Sequence, residues 1–99
     1  MTTLELINQE IKESEAQLSE SETRFWKLIR IKPEQWKQHP EGDEGGGFWV
    51  VALFDNQVIY YNDIEEGFNT SSYRDLGTID EYWCNQDELR TVIHNLLSS

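Results

Sequence analysis

Basic residues, cysteine and long apolar runs are all scarce in this 99-residue chain, and each scarcity excludes something. Only 8 Lys and Arg stand against 19 Asp and Glu, so the formal net charge is −11. Nucleic-acid binding needs clustered Lys and Arg to displace the counterions of phosphates, so no direct contact with nucleic acid is expected. A lone cysteine, Cys84, cannot form an intrachain disulfide and suits a reducing compartment. The longest apolar run, Phe48 to Phe54, is far short of the ~20 residues that span a bilayer. The N-terminus has no basic stretch leading into an apolar core, so no secretory signal peptide is expected, and the Leu-Leu-Ser-Ser end carries no lipidation motif. These absences describe a cytoplasmic protein with no membrane contact.

What is present argues for a folded object. Four Trp, four Tyr and four Phe are too many aromatics for a disordered acidic tail. The length suits one domain over residues 1–99 and leaves no room for two.

Residues 2 to about 22 read as a helix opened by a capping box, Thr2 with Glu5. Leu4, Ile7, Ile11 and Leu18 fall within roughly 60° of one another, with Ser14 on the same line. A narrow seam along a helix about 30 Å long suits one partner helix, in the same chain or in a second copy. Leu4, Ile7, Ile11 and Leu18 are therefore the candidate surface for a homodimer. Residues 24–31 are rich in aromatics and isoleucine, which favours a strand over a continuation of the helix. Pro33 to Trp36 reads as a short helical turn.

His39 to Gly47 holds four of the six glycines and reads as a loop. Phe48 to Phe54 has the continuous apolar pattern of a strand buried on both faces. A turn at Asp55-Asn56-Gln57 returns the chain through Val58-Ile59-Tyr60-Tyr61 as a hairpin. Asp63 to Asp75 reads as a polar loop, and Thr78 to Trp83 as a further short strand. Asn85 and Glu88 supply a cap for a last helix. There Leu89, Val92, Ile93, Leu96 and Leu97 cover roughly 140°, the wide face of a helix lying on a sheet. The expected fold is α+β: an N-terminal helix, an antiparallel sheet of three or four strands on a central hairpin, and a C-terminal amphipathic helix packed on the sheet. A hairpin apolar on both sides must be covered twice. The last helix covers one face, and the other needs the first helix, loops or a second protein.

No catalytic constellation, metal centre or cofactor motif emerges. Cys84 and His94 flank most of a helix that would hold them roughly 15 Å apart, too far for a nucleophile and its base. His39 and His94 lack the spacing and further ligands of a zinc site. The Gly-rich segment 41–47 lacks the Lys-Ser/Thr ending of a phosphate loop and does not match an EF-hand.

Charge distribution is more informative. Residues 1–46 hold 6 basic and 10 acidic residues, a balance of −4; residues 47–99 hold 2 basic and 9 acidic residues, a balance of −7. The acids of the second half interleave with aromatics. Anchors to bury, set among charge that steers, are what a surface for a basic protein partner needs. The candidate partner-binding residues are Tyr60, Tyr61, Asp63, Glu65, Glu66, Asp80, Glu81, Tyr82 and Trp83. An interaction or regulatory module is expected rather than an enzyme. The alternatives are a small enzyme or divalent-metal domain using Asp63, Glu65 and Glu66, and a self-associating structural protein.

Overall fold

The computed structural model describes residues 1–38 and 46–99. Helices α1 (Thr3–Glu15) and α2 (Glu20–Ile29) lead into strands β1 (Arg30–Trp36), β2 (Phe48–Phe54), β3 (Gln57–Asn62) and β4 (Gly67–Ser72), and helix α3 (Leu89–Ser98) ends the chain. The strands form an antiparallel meander in the order β1-β2-β3-β4. The fold is α+β with the last helix packed on the sheet, as the sequence led us to expect.

The helical N-terminus differs from that expectation. Two helices replace the single one read over residues 2–22, because Ser19 and Glu22 form a second capping box. Ser19 Oγ accepts from the Glu22 N–H at 3.2 Å, and the Glu22 carboxylate accepts from the Ser19 N–H at 2.8 Å. This repeats the Thr2–Glu5 box of α1. The Ser19 N–H donated to it holds the Glu22 carboxyl below the ordinary range, as the Thr2 N–H does for Glu5; His94 Nδ1 at 2.7 Å adds to the effect at Glu22. Most of residues 24–31, read as a strand, lies in α2; only Arg30 and Ile31 are extended. Burial of Trp26 and Ile29 on one helical face outweighs their strand propensity. Glu15 joins the two helices, its Oε2 accepting from Trp26 Nε1 at 2.8 Å and from Arg30 Nη1 at 2.6 Å.

Three further segments depart from the reading. Pro33–Trp36 is part of β1, not a helical turn, and an edge strand tolerates a residue with no N–H. The segment 63–75, read as a loop, contains β4. Its residues alternate, with Phe68 paired to Tyr61 and Asn69 to Tyr60, although no apolar run marks it. Thr78–Trp83 is not a strand; Thr78 makes one isolated bridge to Lys37. The loop expected from His39 lies outside the described residues up to 45. Gly47 is required, since a Cβ there would sit 2.0 Å from the Trp36 carbonyl oxygen.

One face of the sheet is covered by helices. Ile7, Ile11, Trp26, Ile29, Leu89, Val92 and Ile93 pack on Val51, Ala52, Ile59, Tyr61 and Phe68. A bulge between Val50 and Ala52 lets two successive residues of β2 face the helices. Ile7 and Ile11 are buried against this core, α1 packs on α3, and Leu4 and Leu18 are half-buried. The seam offered for a homodimer has its partner helix inside the same chain. Ser14 on that seam accepts the Arg90 N–H at 3.1 Å. It thus caps α3, a task the sequence reading gave to Asn85 and Glu88; Glu88 occupies the cap position without a side-chain bond.

Candidate partner-binding site

The other face carries Trp36, Phe48, Val50, Val58 and Tyr60. An irregular strap, residues 73–88, covers it with Ile79 packed in and Tyr73 and Tyr82 alongside. Its pairing with the sheet is limited to isolated bridges at Thr78 and Asp87, so many of its backbone polar groups must be satisfied by other means. Side chains projecting from this face do so. Asn69 makes a reciprocal pair with Asn85, accepting its N–H at 3.0 Å and donating to its carbonyl at 3.1 Å. Ser71 Oγ accepts the Glu81 N–H at 2.8 Å. Tyr60 Oη accepts the Trp83 N–H at 2.8 Å, and Asn62 Nδ2 donates to the Trp83 carbonyl at 2.9 Å. Gly67 lets the strap approach: a Cβ there would meet the Asn85 carbonyl oxygen at 2.3 Å and Gln86 Cα at 2.4 Å.

Asn62 also shapes the turn between β3 and β4. Its Oδ1 accepts from the N–H groups of Ile64 at 3.0 Å and Glu65 at 3.2 Å. Gln86 Nε2 donates to the Glu65 carbonyl at 3.1 Å. Turn 63–66 and strap 83–86 are thus tied side by side.

The structure divides the nine candidate residues. Tyr60 is 0% exposed and Tyr61 5%, so both are core residues and neither can anchor a partner through its ring face. Period 2 of the strand puts them on opposite faces, and both faces are covered. Burial pushes the Tyr60 hydroxyl up to about 12 and raises that of Tyr61. Asp80 lies 3.5 Å from Arg74, and Glu81 accepts the Ser72 N–H, so each already has a structural partner. Tyr82 is half-buried, whereas Trp83 is 50% exposed. Asp63, Glu65 and Glu66 sit in the adjacent turn and join no ion pair among the described residues. Ile64, in the same turn, is 58% exposed and was not singled out from the sequence. Its place between three acids, in a turn the sequence read as polar loop, was the available signal. Among the described residues no group of three or more His, Cys, Asp or Glu is placed to hold a metal ion. No helix described is long and apolar enough to cross a membrane.

The chain matches no protein-family model, no curated protein and no solved structure.

Proposed function

We propose that the protein is an interaction module that recognises a basic protein partner through the surface formed by turn 63–66 and the strap around Trp83. The observation that carries this reading is the state of Trp83. Its ring is half exposed while its own N–H and C=O are bonded to the buried side chains of Tyr60 and Asn62. An aromatic held this way loses little further freedom on binding, which favours its use as an anchor. Ile64 adds apolar area, and Asp63, Glu65 and Glu66 supply unpaired negative charge beside it. The balance of −7 over residues 47–99 favours encounter with a positive surface.

Panning a displayed random peptide library on the intact protein tests this. Sequences enriched in Lys and Arg with an apolar residue are expected, and their enrichment is expected to collapse on Trp83→Ala. Enrichment of acidic or uncharged sequences, or equal enrichment on the variant, contradicts the reading.

A further inference from the structure

β4 forms one edge of the sheet. Along an antiparallel strand, backbone groups turn alternately towards the neighbouring strand and away from it. The strap fixes which residues of β4 turn away. Phe68 donates its N–H to the Asp87 carbonyl at 2.9 Å, and the Ser72 carbonyl accepts the Asp80 N–H at 3.3 Å. Thr70, midway between them, therefore also turns its N–H and C=O away from β3. Neither group is bonded to the strap or to any other described residue. The strap has left the edge there, because its Trp83 backbone is drawn over β3 by Tyr60 and Asn62.

A cleft of about 300 Å³ opens at this gap, between the β4 edge, the end of the strap and α3. Phe68 and Thr70 share the face of β4 on which α3 packs, and Val92 and Leu96 form an apolar wall there. Around it stand the side-chain carboxamides of Gln57, Asn85 and Asn95, none hydrogen-bonded to another described residue. Asp87 is the one charged side chain among the described residues of the lining.

We propose that this gap receives a short extended segment of the basic partner, which pairs with Thr70 as an added strand. Such a segment presents the N–H and C=O of one residue on the same side, so it returns both bonds that Thr70 lacks. Its side chain opposite Thr70 then points towards Val92 and Leu96, which calls for an apolar residue. The strap holds β4 at Phe68 and Ser72, so pairing is confined to that one residue. The free carboxamides beside it both donate and accept, and so suit the guest amides on either side. Other ligand classes fit less well. An anion meets Asp87 and no cation, and a sugar or base finds no open ring to stack on, since Phe68 is 1% exposed. A basic segment suits Asp87 and the negative balance of this half of the chain.

The inference rests on the reading of the protein as a module for a basic partner. Its probe is a blocked pentapeptide with valine at its centre, alanine on either side and lysine at each end. It is titrated into the intact, ¹⁵N-labelled protein at about 0.15 M salt. Shifts are expected at the amides of Thr70, Asn85, Asn95 and Leu96. N-methylation of the valine removes the donor to the Thr70 carbonyl while keeping side chains and charge. It is expected to weaken binding about fivefold, the scale of one net hydrogen bond. Thr70→Pro removes the outward N–H, which an edge strand tolerates, and is expected to weaken binding at least as much. Asn95→Ala, at an exposed position of α3, is expected to weaken it severalfold and tests the cleft even where Thr70→Pro perturbs β4. Equal binding of the N-methylated peptide, shifts mapping elsewhere, no shift at millimolar peptide, or unchanged affinity in Asn95→Ala overturns the proposal. Trp83→Ala is expected to leave this titration unchanged, so failure of the edge and failure of the Trp83 surface show separately.

Discussion

Tyr60 shows how one side chain can serve the core and the surface together. Its ring is buried against Phe48, with centroids 5.7 Å apart, while its hydroxyl accepts the Trp83 N–H and lies 3.3 Å from the Glu81 carbonyl oxygen. Replacing Tyr60 with Phe leaves the Trp83 N–H unsatisfied and is expected to cost about 1–3 kcal/mol in denaturant unfolding. The hydroxyl is also an alkaline switch of predictable sign. Its folded value of about 12 lies above the ordinary 10.0, so it stabilises the fold fully below 10.0, and that contribution is lost as pH rises towards 12. Stability should fall across that window by up to about 1.4 kcal/mol per pH unit, and Tyr60→Phe should remove that part of the slope. A slope unchanged in the variant would assign it to other groups. None of this was legible from the sequence. A Tyr-Tyr pair in a strand marks one residue for each face, but only the strap decides that neither face is free.

At the scale of elements, the legible parts were those with a local signature. The Thr2–Glu5 box, the Phe48–Tyr61 hairpin and the periodicity of α3 each come from neighbours in sequence, and each formed. The second box, Ser19 with Glu22, is equally written in the sequence, but the aromatics and isoleucines that follow it at 24–31 favour a strand over a helix. β4 was less legible, because Asn69 and Ser71 face a strap that arrives from about ten to sixteen residues further on and is held by side chains. Polar residues are right there for a non-local reason. The strap depends just as strongly on the smallness of Gly67. Gly67→Ala is expected to push residues 85–86 outward, costing about 1–3 kcal/mol as overpacking does. Thermal unfolding reads that loss, and amide exchange of strap residues 81–87 should speed up more than that of α1. Uniform exchange with unchanged stability would show that the strap does not rest on this contact.

Over the whole molecule, the sheet lies between three helices and a strap, and the two coverings serve different ends. The helical side absorbs the apolar seam of α1, including Ile7 and Ile11, within the chain. The strap side is held by polar side chains and leaves exposed groups beside unpaired acids. Acidity was readable as a total and as an imbalance between halves. Its local meaning was not, because Glu10 of the first half lines one cleft with Glu66, Asp87 and Glu88, while Asp80 and Glu81 are occupied structurally. Leu28 on α2 is 85% exposed and supplies an apolar control remote in sequence from the strap. The most direct test is quantitative affinity capture of basic proteins by the wild type, Trp83→Ala and Leu28→Ala, with a salt step to about 0.3 M to screen surface charge. The account predicts a captured partner that Leu28→Ala retains, Trp83→Ala loses and the salt step releases. A partner retained by Trp83→Ala and indifferent to salt would contradict it.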